Sequence, residues 1–144
     1  MKKTKIVLLA LLLLILTVGA VSAIDIMSFK SPKGFDEGYG GSMNKGDFSI
    51  SIEEFDRDLN KDLFIGDGIH KATVKGNFSE FNDTYKDEVG ARELIQIGKT
   101  NYTVQCKYDG KDASKISECI KYLEDFNKKN DLKQLDLSKM NFND

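Results

Sequence analysis

"ARELIQIGKTNYTVQCKYDG", residues 91–110, is the stretch on which the fold turns. Ile95 and Ile97 fall on one side of an extended chain. Gly98-Lys99-Thr100-Asn101 offers a turn, and Tyr102, Val104, Cys106 and Tyr108 alternate on the way back. Period-two alternation on both sides of a glycine-bearing turn predicts an antiparallel hairpin with a buried face. The period then changes. In "DASKISECIKYLEDFNKKN" (112–130), Ile116, Cys119, Ile120, Leu123 and Phe126 recur at helical spacing. Asp112 or Ser114 can cap the start, and Lys128-Lys129 sit in the last turn, where the helix dipole favours cations.

Outward from this core the signals weaken. "DFSISIEEF" (47–55) alternates as a half-buried strand, and "IHKATVKGNF" (69–78) does so less cleanly. Between them "DRDLNKDLFIGDG" (56–68) reads as an acidic loop, and "SEFNDTYKDEVG" (79–90) fits a loop or a short helix. The expected class is α+β: a small antiparallel sheet of about four strands with one C-terminal amphipathic helix packed on a face. That domain spans 47–130. Residues 24–46, rich in Gly, Ser and charge, form a flexible lead-in, and 131–144 form a C-terminal tail that trails along the sheet or frays.

The chain opens with a basic start (Lys2, Lys3, Lys5), an apolar run from Ile6 to Val18 broken only by Thr17, and small residues at Val21-Ser22-Ala23. This is the pattern of a secretory signal peptide over 1–23, cut before Ile24. The alternative is a signal anchor, because Ile6 to Ile24 carries no charge and about 19 helical residues reach about 28 Å. Either way the remaining chain is extracytoplasmic, secreted or held at the outer face of the cell membrane, and membrane contact runs through the N-terminal segment alone.

The lysine-rich leader, the strand-turn-strand "ELIQIGKTNYTVQCKY" and the helix "SKISECIKYLEDFNKKNDLKQLD" together resemble small uncharacterised exported proteins of methanogenic archaea. The resemblance covers the leader and roughly the C-terminal half. It implies location and fold and brings no activity with it.

Composition excludes some functions. The net charge is −2, and losing a leader with three lysines and no acid moves it to −5. No basic block is present, which argues against nucleic acid as a partner. Nine Phe and five Tyr are spread along the chain as core residues are, with no clustered stacking platform.

Few arrangements carry chemistry. Cys106 on the last strand and Cys119 on the helix would meet across the core. In an exported protein they predict a disulfide, and closing a loop of about 14 residues stabilises by about 3 kcal/mol. Two buried thiols acting as small apolar side chains are the alternative. Asp56, Asp58, Asn60, Asp62 and Asp67 stand at positions 1, 3, 5, 7 and 12 of an EF-hand-like Ca²⁺ loop, but Lys61 replaces the turn glycine and Asp67 the bidentate glutamate. A solvated acidic loop accounts for the same residues. The glycines of 34–46 lack the strand before and helix after that a phosphate loop needs. Asn77, Asn82 and Asn101 each head an N-x-S/T sequon. His70 is the only histidine and no Ser lies in a nucleophile elbow, so no catalytic residue and no cofactor is assigned. The expected function is a non-enzymatic exported module that meets an envelope or surface protein or glycan. A calcium- or small-ligand-binding module using 56–67 is the first alternative, and an exported carboxylate-based hydrolase the second.

Overall fold

The computed structural model describes residues 28–37, 42–66 and 71–142. The expected hairpin is its centre. Strands β6 (Glu88–Ile97) and β7 (Thr100–Asp109) pair along their whole length, from Glu88 opposite Asp109 to Ile97 opposite Thr100. Before them come β1 (Asp36–Glu37), β2 (Met43–Lys45), β3 (Phe48–Glu54), helix α1 (Arg57–Ile65), β4 (Lys71–Lys75) and β5 (Phe78–Asp83). Helix α2 (Lys115–Lys129), the two-residue β8 (Lys133–Gln134) and a 3₁₀ turn at Leu137–Lys139 follow. The sheet is antiparallel throughout and runs β1-β2-β3-β7-β6-β5-β4. β8 pairs with β6 at Ile95 and Gln96, beyond the point where β5 ends.

The fold class therefore needs correction. In place of a small four-strand α+β domain, the chain forms a mostly β protein with one large sheet of seven strands in line and one long helix. The extra strands come from segments where hydropathy alternation is hidden. In β5 the inward side chains are Ser79, Phe81 and Asp83, two of them polar. β6, expected as the first arm of the hairpin, begins earlier, at Glu88, and is buried from Val89 to Ile95, so its added residues show no polar face to mark a period. Three turns share one device, with Gly46, Gly76 and Gly98 at positive φ in the first position of two-residue connections.

One face carries α2. Ile50, Ala91, Ile95, Tyr102, Val104 and Cys106 from the sheet pack against Cys119, Leu123 and Phe126. The opposite face carries α1 and the tail. Phe64, Leu94, Leu137 and Phe142 form a second core there, edged by Phe55, Val74 and Leu135. Phe64 stacks on Phe142 with ring centroids 5.5 Å apart. The tail is held by Leu135 N–H donating to Leu94 O at 2.8 Å, and Asp136 caps the 3₁₀ turn through Ser138 N.

Two further expectations change. Residues 57–65, read as loop, are helical; Gly66 at φ 80 ends the helix and donates to Asp62 O. Part of the expected flexible lead-in, residues 29–35, is a strap along α2. Phe29 meets Phe126 edge-on, Phe35 meets Tyr122, and Pro32 is fully buried. Lys30 N–H donates to Asn130 Oδ1, whose Nδ2 returns a bond to Lys30 O. The strap shows no period of 2 or 3.6 because it anchors through single side chains of an irregular chain. The leader lies outside the described residues, and among those described no helix is long and apolar enough to cross a membrane.

Gly90 marks the tightest approach in the sheet. A Cβ there would stand 2.1 Å from Cys106 O and 2.7 Å from Phe81 Cζ. Gly90→Ala is expected to cost about 3 kcal/mol in a urea titration, at the upper end for overpacking. Gly46→Ala, at a turn with nothing within 4 Å, is expected to cost about 1 kcal/mol from backbone strain alone.

Candidate functional site

The least ordinary chemistry sits in the middle of the central strand, where two charged residues are both buried. Adjacent strand residues point to opposite faces, so Arg92 and Glu93 enter different cores. Arg92, 6% exposed, lies over the Phe81 ring at 3.8 Å from its centroid. Its Nε donates to Gln105 Oε1 at 2.8 Å and one terminal nitrogen donates to Leu63 O at 3.0 Å. Ser79 Oγ donates to Phe64 O at 2.6 Å. Together they satisfy carbonyls at the C-terminus of α1, where the dipole also favours a cation. Burial pulls the Arg92 guanidinium down to about 10, against the pull of Glu88, Asp83 and Glu53. It stays charged at neutral pH.

Glu93 has no such cation. It is fully buried beneath α2, opposite Val104 on β7. Its Oε2 accepts from Asn127 Nδ2 at 2.7 Å and from Gln134 Nε2 at 2.8 Å. Burial pushes its carboxyl up to about 8; the two amide bonds oppose that rise and Glu124 adds to it. This carboxyl ties the central strand to α2 and to β8. Sequence reasoning passed over both residues. The available signal was a charge pair inside the strongest strand of the chain, where the sheet has no solvent face to receive either.

The two cysteines come together as expected, both fully buried, Cys106 under Cys119. They stand as free thiols in hydrogen-bond contact, and that bond first, then burial, pushes the Cys106 thiol far above its ordinary range. Both sulfurs are shielded from solvent by the core.

The acidic segment is not assembled into a loop. Asp56 precedes α1, while Asp58, Asn60 and Asp62 lie on the helix itself. An EF-hand-type site draws its ligands from a loop, and three of these five positions stand on a helix. Asp67 and His70 lie outside the described residues. Among the described residues no group of three His, Cys, Asp or Glu is placed to hold a metal.

The sequons differ in access. Asn77 is exposed at the β4–β5 turn, with Nδ2 resting 3.3 Å from Gln134 Oε1. Asn82 is half-buried at the end of β5, and Asn101 sits inside β7 with its Oδ1 buried. Next to Asn82, the β5–β6 turn presents Tyr85, which is 85% exposed and the one large apolar side chain left exposed among the described residues. Asp83 Oδ1 fixes that turn by accepting from both Tyr85 N and Lys86 N.

No protein family, curated protein or solved structure matches this chain.

If the chain meets a glycosylation machinery, Asn77 is expected to carry the glycan first, Asn82 in part and Asn101 not at all. Peptide mass mapping of the protein from its native host reads this directly; sugar on Asn101 with Asn77 bare contradicts the exposure order.

Proposed function

We propose that this chain is an extracytoplasmic, non-enzymatic interaction domain that meets a surface protein through the β5–β6 turn. The supporting observation is Tyr85, an aromatic ring held out to solvent on a turn whose backbone is fixed by Asp83. Large aromatics are the usual anchors of protein interfaces, and a preset turn loses little conformational entropy on binding. Beside it Asn82, Thr84, Asp87 and Lys111 line a shallow concavity, which supplies polar groups for the rim.

The leader places this domain outside the cytoplasm. The proposal includes a Cys106–Cys119 disulfide in that compartment, supported by the contact of the two buried sulfurs.

A photo-crosslinking residue placed at position 85 of the exported chain in its native host is expected to yield a discrete protein adduct. The same residue at exposed Ser117 on α2 is expected to yield none. With the partner identified, Tyr85→Ala should weaken binding about 30-fold and leave the melting temperature unchanged. Equal adducts from both positions, or no loss of affinity, would remove Tyr85 as the anchor.

A further inference from the structure

Glu93 and Asn127 present two planar polar ends to each other and use only half of them. Asn127 Nδ2 donates to Glu93 Oε2, yet Glu93 Oε1 and Asn127 Oδ1 are both buried without a hydrogen-bond partner. Each orphaned acceptor carries the full desolvation penalty of its group. A carboxylate and an amide oxygen have only lone pairs to offer one another. One proton resolves both. A carboxylic acid donates from Oε1 to Asn127 Oδ1 while Oε2 goes on accepting from Nδ2, and the two groups close a ring with one bond in each direction. Nδ2 and Oε2 are already in contact at 2.7 Å, so one half of that ring is in place. The second bond to Oε2, from Gln134, is kept.

We propose that Glu93 carries this proton in the folded protein at neutral pH, and that the acid–amide pair is a pH-operated latch for the last turns of α2 and the N-terminal strap.

The structure gives the latch something to hold. Asn127 lies between the residues to which the strap is tied. Lys33 N–H donates to Asp125 Oδ2 at 3.2 Å, Phe29 packs on Phe126, Lys129 Nζ reaches Ser31 O, and Asn130 exchanges two bonds with Lys30. Among the described residues no cation acts on this carboxyl to accept the charge if the proton leaves. From α2 the charged group acting on Glu93 is Glu124, of like sign. On β8, Lys133 turns its Nζ to Gln96 Oε1; on β7 the facing residue is Val104; β5 ends its pairing at Arg92 and does not reach Glu93. Asp125 on the strap side is paired with Lys129. Deprotonation therefore leaves a buried, uncompensated carboxylate with one oxygen set against an amide oxygen. Lifting α2 and the strap to admit water relieves it.

The direction of the effect follows from linkage. Burial raises the carboxyl of the folded chain from 4.5 to about 8, so the folded state holds a proton that the unfolded chain has lost. Stability is fully present below the lower value, falls as pH rises between the two, and levels off above the upper one. A domain outside the cytoplasm meets the pH of its surroundings, and this latch would loosen as they turn alkaline.

Glu93→Gln tests the latch, because the amide offers an N–H where the acid has its O–H and cannot ionise. Melting curves and amide exchange of residues 28–37 are compared with the native chain at matched pH. The two chains should agree at about pH 5. At about pH 9 the native strap should exchange at least about tenfold faster than in E93Q, and the native chain should melt lower. The carbon-13 titration of Glu93 in the unmodified protein needs no variant, and should show a single step near pH 8. A step in the ordinary carboxylate range overturns the proton. A high step with unchanged strap exchange overturns the latch.

Discussion

The β6–β7 hairpin is the constraint on which the rest depends. Its ten-residue strands pair over their full length and turn one face to α2, while β6 also gives Leu94 to the layer that α1 and the tail build on the other face. Burying both faces of one hairpin gives the chain two small cores in place of one large one. It also makes β6 the most enclosed segment among the described residues. Everything else attaches to this centre: β3 on the β7 edge, β5 and β8 sharing the β6 edge, the strap on α2.

A strand enclosed on both sides has no cheap place for charge, yet this one carries two charged residues in succession. The two faces treat them differently. Arg92 is spread over an aromatic ring, a glutamine and a helix C-terminus, all of which suit a delocalised cation. Glu93 meets two amides, which leave one of its oxygens and the Asn127 carbonyl oxygen unpaired until a proton joins them. The Arg92 side stays ionised and fastens α1, whereas the Glu93 side is free to switch and fastens α2. Buried polar pairs of this kind also specify which elements pack where, since a register slip of one residue would exchange their environments.

The legible parts of the fold were those with one buried face. Tyr102, Val104 and Cys106 alternate because the other side of β7 is partly polar, with Gln105 and Lys107 only half-buried. Ile116, Cys119, Leu123 and Phe126 mark α2 because its outer face meets solvent. Where burial is achieved with polar side chains, as at Ser79 and Asp83 of β5, alternation vanishes and the segment reads as loop or short helix; two-sided burial likewise hides the first residues of β6, Glu88 to Gly90. α1 is hidden by its charge, with Arg57, Asp58, Lys61 and Asp62 among its nine residues and its apolar residues gathered mostly at Leu63-Phe64-Ile65. Of the site residues, the cysteine contact was legible because both members lay on periodic segments. Glu93 was not, because its partners Asn127 and Gln134 lie 34 and 41 residues away in sequence and carry no motif.

The two-sided sheet is the central claim, and nuclear Overhauser contacts from the methyl groups of Leu94 test it most directly. The account predicts contacts to the rings of Phe64 and Phe142 and to the methyls of Leu137, while the Ile95 methyls next to it see Leu123 and Phe126. Leu94 methyls that show no contact beyond the sheet, with α1 and residues 135–142 lacking long-range contacts of their own, would contradict it. The protein would then be a sheet covered on one face only.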